Sequence, residues 1–159
     1  MAVAPDEVDI EGASAALRVA AVQATPAWVR RCVGEVAGRQ RLDRPEHFET
    51  TLDEWAQRAA AFVDTRLGEL LGADIDRQQS TPLEIFRQAV RFPVEILHGL
   101  GATPVHRGDM ARWAFPNDPF DITPGNLSDI GEGVQQAGIV WGASKAALHL
   151  ARRRREGGR

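Results

Sequence analysis

Tyrosine is absent, lysine occurs once, at Lys145, and cysteine once, at Cys32, in a chain of 159 residues. A single cysteine excludes an intrachain disulfide, and a thiolate zinc site would have to be completed by histidines and carboxylates. No apolar run is long enough for a membrane span. The longest apolar region, Val134 to Ala151, is interrupted by Gln135, Gln136, Ser144, Lys145 and His149. The first residues are acidic where a secretory leader would be basic and then apolar, so the expectation is a soluble cytoplasmic protein.

Several chemical signatures are missing as well. The sequence has no Gly-x-Gly-x-x-Gly or phosphate loop, no HExxH, no HxH and no helical Glu-x-x-His. No histidine sits beside a strained nucleophile turn. Arg107-Gly108-Asp109 spells an adhesion tripeptide, which matters only on an exposed extracellular loop. Neither a cofactor nor a resident metal is expected.

What remains is a mildly acidic chain of net charge −3 with 43% hydrophobic residues, enough for one core. The charge is uneven, because residues 151–159 hold five arginines against one glutamate. Three regions follow: an acidic mobile arm over 1–12, a helical domain over 13–151, and a basic flexible tail over 152–159. No alternation of strands with helices is visible, and the fold class expected is all-α. It would be a single compact bundle of five or six helices with one irregular proline-rich loop before the last.

Four Thr-Pro dipeptides, at Thr25, Thr81, Thr103 and Thr123, each read as an N-cap followed by proline in a first helical turn. On that basis a short helix covers about 13–23 and a second begins at Thr25-Pro26. The second places Val29, Cys32, Val33 and Val36 on one stripe, so Cys32 reads as core rather than as a nucleophile. A third helix, 48–71, carries apolar residues at threes and fours and stops at Gly72. A heptad coiled coil is its competing reading, and packing within the chain is favoured.

Thr81-Pro82-Leu83-Glu84 spells a capping box that launches a fourth helix. Pro93 lies inside it, so that helix kinks between Ala89 and Pro93 or ends and restarts. Gly99-Leu100-Gly101 closes it, and Thr103-Pro104 starts a shorter helix bearing Met110 and Trp113. Prolines 116 and 119 then interrupt regular structure. A last helix, about 128–154, is apolar nearly all round, with Ile130, Val134, Ala137, Trp141, Leu148 and Ala151 on one stripe and Ile139, Ala143, Ala146 and Leu150 on another. The third and last helices are expected to form the core, or the last to make an oligomer contact.

Three functional classes compete. The leading one is a non-enzymatic cytoplasmic interaction or regulatory protein that binds another protein through a helix face or the 99–125 loop. Gly138, Trp141 and Gly142 are its candidate interface, since two glycines four apart let a second helix approach closely. That partner is unidentified, and a homodimer is one form of it. The alternative is a small-molecule or metal site, with an enzyme's active site as one form of it, formed by His98, His106, Asp109, Trp113, Asp118 and Asp121, because this loop concentrates imidazoles, carboxylates and an aromatic ring. The third is weak nucleic-acid binding through the arginine tail with Arg30, Arg31, Arg39 and Arg41, which the acidic body disfavours. No membrane partner is expected.

Overall fold

A computed structural model describes residues 8–72, 81–106 and 118–158. It is all-helical, with no strand among those residues. The elements are α1 (Ile10–Arg39), α2 (Phe48–Gly72), α3 (Pro82–Ala89), α4 (Arg91–Gly99), a 3-10 turn (Leu127–Asp129) and α5 (Glu132–Gly157). Helices α3 and α4 are two segments separated only by Val90, and counted together they leave four helical bodies plus a 3-10 turn. The expected count of five or six is slightly high.

The main cause of that miscount is Thr25-Pro26. The predicted boundary does not exist, because α1 runs through it for 30 residues with Pro26 inside. Thr25 is fully buried, and its hydroxyl donates to the Ala21 carbonyl at 2.7 Å, one turn back within the same helix. Leu17, Ala21, Thr25, Trp28 and Cys32 thus form one buried stripe, spaced four, four, three and four apart.

Thr81-Pro82 is the only Thr-Pro pair that opens a helix among the described residues. Pro82 takes the first helical position, but the Thr81 side chain makes no capping bond. The Glu84 amide is taken by the Thr81 backbone carbonyl instead, and the Glu84 carboxylate lies 3.6 Å from Arg87. The predicted capping box is therefore not formed. Residues 102–106 and 122–125 are non-helical, so Thr103-Pro104 and Thr123-Pro124 start no helix there. The remainder of the expected 104–113 helix, with Met110 and Trp113, lies outside the described residues.

Pro93 resolves as an end and a restart. Helix α3 closes at Val90 and α4 begins at Arg91, which puts Pro93 in a first turn where its missing N–H breaks no ladder bond. Both long loops leave their helices through the same device. After α4 the Ala102 amide bonds the Leu97 carbonyl and the Gly101 amide the His98 carbonyl, with Gly101 at φ +83°. After α1 the Leu42 and Arg41 amides repeat the pattern on Ala37 and Gly38, but Arg41 holds the left-handed position, at φ +52°. Glycine is favoured there because it has no Cβ to clash with the backbone.

Helix α1 is the axis of the bundle. It packs along α2, α4 and α5. Helix α2 runs antiparallel to it, as shown by the ion pairs Arg18–Asp64 at 2.7 Å and Arg30–Asp53 at 2.6 Å. Both pairs are half-exposed and together contribute at most ~1–2 kcal/mol. The core lies between these helices, where Trp28 meets the edge of Phe86 at 6.3 Å between ring centroids, above Leu17, Val33, Val63 and Leu67. Burying side chains of this size contributes about 1.5–3 kcal/mol each.

The predicted pairing of the third and last helices as the core is overturned. Of the 26 residues of α5 only Val134 and Trp141 are buried, and the second predicted stripe, through Ile139 and Leu150, faces outward. The helix bounds also differ at both ends of the chain. Asp9 caps α1 through the Gly12 amide, so helix begins within the stretch expected as a mobile arm, and α5 carries Arg152 to Arg155 as helix before ending at Gly157.

Replacing Pro26 with alanine should restore the missing bond to the Val22 carbonyl without disturbing the core. Pro26→Ala is expected to raise the unfolding free energy by ~1–3 kcal/mol in urea titrations. A fall in stability would show that α1 breaks at this point.

Candidate functional site

The C-terminal half of α1 holds the 99–130 region by its backbone. The Gln40 side-chain amide donates to the Thr103 carbonyl at 2.7 Å and accepts from the Thr103 N–H at 2.8 Å. Arg39 reaches the Phe120 carbonyl at 3.2 Å, and Arg31 donates to the Asp129 carbonyl. The two flanks of the loop are tied to each other by the Val105 amide on the Pro119 carbonyl at 2.7 Å. Three of the four arginines proposed for nucleic acid are thereby committed within the fold, since Arg30 pairs with Asp53.

Four of the six loop candidates lie among the described residues, and they do different things. Asp118 is buried, and its carboxylate accepts from the Phe120 amide at 3.2 Å and from the Thr123 amide, closing a turn. The exposed ring of His98 sets an edge against Phe120 at 5.2 Å. His106 is exposed on the segment after α4. Asp121 is exposed and takes a left-handed backbone, φ +58°, one residue after the buried Phe120. Asp109 and Trp113 lie outside the described residues. No group of three or more histidines, cysteines and carboxylates suited to a metal occurs among the described residues.

A shallow polar cleft beside α1 is lined by Trp28, Arg31, Glu35, Asp121, Thr123 and Asp129. Its charged groups are largely engaged with one another and with the loop backbone. Asp129 accepts from the Gly125 and Asn126 amides at 2.8 and 2.9 Å, while Asn126 caps the 3-10 turn through Ser128. The Asn-x-x-Asp spacing of this reciprocal cap was readable in the sequence as a helix-start signal. Beneath the cleft, Cys32 is buried with its thiol 3.6 Å from the Ile122 carbonyl. Burial pushes its pKa from 9.0 up to about 12, outweighing the nearby Arg31 guanidinium, which acts in the opposite direction. The thiol is therefore neutral and not a nucleophile near pH 7.

The interface candidates separate in a similar way. Trp141 is 8% exposed and packs into the core, with its indole N–H unpaired among the described residues. Gly138 makes room for Leu127, since a Cβ there would run into that side chain. Gly142 faces open space. The close-approach motif thus serves the chain's own packing at Gly138, and the uncovered apolar surface lies on the other side of the helix. Ile139 is 64% exposed, Val140 and Leu150 56% each, and Val19 of α1 55%. A groove links the two helices, lined by Asp9, Gly12, Ala13 and Ala16 from the start of α1 and by Val140, Ala143, Ser144 and Ala147 of α5. No helix among the described residues is long and apolar enough to cross a membrane. No family model, curated protein or solved structure matches the chain.

Two measurements check this local structure. Asp118→Ala should cost ~2–3 kcal/mol by leaving two backbone amides without their acceptor, and Asp118→Asn, which keeps one acceptor oxygen, roughly half as much. Equal stabilities in urea would overturn the turn-closing role. For Cys32, the unfolded thiol ionises above 9.0 and the folded one only near 12, so the folded state holds the extra proton in between. Stability should therefore fall as pH rises through that window, by up to ~1.4 kcal/mol per unit, and Cys32→Ala should remove this slope. With no tyrosine and one lysine, little else titrates there.

Proposed function

We propose that the chain is a non-enzymatic cytoplasmic protein, an adaptor or regulatory subunit, that works by associating with another polypeptide through the outward face of α5 and the adjoining edge of α1. The observation that carries this reading is a helix apolar on two sides. Its inner side supplies Val134 and Trp141 to the core, while its outer side leaves Ile139, Val140 and Leu150 more than half exposed. Scattered apolar residues are ordinary on a protein surface, but here they share one side of a helix and continue across a groove to Ala13 and Ala16. Covering such a face removes apolar area from water at ~25 cal/mol per Å², and no charged side chain interrupts it between Ile139 and Leu150 except Lys145, whose ammonium sits over the Trp141 ring at 5.1 Å.

The loop is the less favoured surface. Several of its described polar groups are taken up by turns and by α1, as the pair of hydrogen bonds between Gln40 and Thr103 and the closed turn at Asp118 illustrate.

Native mass spectrometry on tagged protein from its host's lysate tests the reading, with Val140→Glu/Leu150→Glu as the comparison. Both positions are exposed, so circular dichroism should be unchanged. The wild type should retain a stoichiometric protein chain, identical or different, and the double variant should lose it. Equal retention by both, or none by either, would overturn the assignment.

A further inference from the structure

We infer that the partner of this face is a second copy of the chain, packed with α5 antiparallel to α5 about a two-fold axis. The inference rests on the association reading above and goes further by fixing the occupant. The argument starts from the order of side chains. Ile139, Ala143, Ala146 and Leu150 follow one another at four, three and four residues, a heptad-like seam that reads large, small, small, large from either end. A two-fold surface must be complementary to itself. An axis crossing α5 midway between Ala143 and Ala146 sets Ile139 against Leu150 of the second copy and each alanine against the other alanine, so small residues meet at the centre and large ones close both ends.

Charge selects the same arrangement. The stripe is preceded by exposed Glu132, Gln135 and Gln136 and followed by exposed Arg153 and Arg154. Antiparallel pairing brings Arg153 opposite the neutral Gln136 and Arg154 opposite the neutral Gln135 of the second copy, with Glu132 about one turn beyond and Glu156 opposite Gly133, so the two arginine runs stay at opposite ends. Parallel pairing would instead gather both arginine runs at one end, where like charges repel, and would align the two helix dipoles. The exposed α1 residue Ala16 shares a groove with Ala143 of the seam and widens the contact.

Analytical ultracentrifugation of the purified full chain, with no other protein present, tests the proposal. The wild type should sediment at twice 17.4 kDa. Ala146→Glu, which puts a carboxylate beside the axis, should weaken self-association ~30-fold or more while helix content stays constant. Direction is read by oxidation of cysteine variants, in which buried Cys32 does not compete. Ile139→Cys/Leu150→Cys should form a disulfide-linked dimer, whereas Ile139→Cys alone should not, since its counterpart lies about 16 Å away along the axis. Cross-linking by the single variant would mean parallel pairing and overturn the proposal, as would a monomer at all concentrations. A monomer that still captured a different protein in a manner dependent on Val140 and Leu150 would sink this inference alone, and one that captured nothing would sink the association reading with it.

Discussion

The fold depends on α1 remaining one helix across Pro26. Proline in a helix interior costs ~3 kcal/mol, through a lost bond and a clash with the preceding turn. What offsets that cost is burial on both sides of the break: Leu17 and Ala21 before it, Trp28, Val29 and Val33 after it, all nearly inaccessible. An unbroken helix of 30 residues is about 45 Å long. Its first half can then support α5 and the end of α2 while its last turns reach the 99–130 region. Two helices meeting at Thr25 would give no fixed relation between those regions.

Local signals in the sequence were sound wherever apolar periodicity was long. Helix α2 follows its predicted span closely, from Phe48 to Gly72, and Cys32 lies on the buried stripe that its spacing from Val29, Val33 and Val36 implied. Thr-Pro was ambiguous because its two uses differ in the burial of the threonine. At exposed Thr81 the pair opens a helix through the backbone carbonyl, with no hydroxyl cap; at buried Thr25 the hydroxyl turns back to the preceding turn, on Ala21. The resolving clue was the continuous stripe through Leu17, Ala21, Thr25 and Trp28, which a two-helix reading cuts in half.

The proposed association surface was half legible. Two apolar stripes on α5 were readable from spacing, but not which of them the rest of the chain would cover. That choice is tertiary: the side buried in the folded chain is the one bearing Val134 and Trp141. Residue type alone could not say what the polar groups of the 98–121 loop do. Carboxylates and imidazoles in a loop look alike whether they meet a ligand or the chain's own amides, and only geometry shows that Asp118 is used up by Phe120 and Thr123.

The contact between Gln40 and Thr103 has a bearing on how the protein tolerates change. One side-chain amide satisfies both backbone groups of residue 103, in the manner of a single rung of sheet. The rung reads the main chain and is blind to the side chain there. Position 103 is therefore free to vary among all residues that keep an N–H, proline alone being barred, while position 40 tolerates little beyond glutamine. The specificity of this joint is encoded on the helix, and the loop it anchors is left open to diversification.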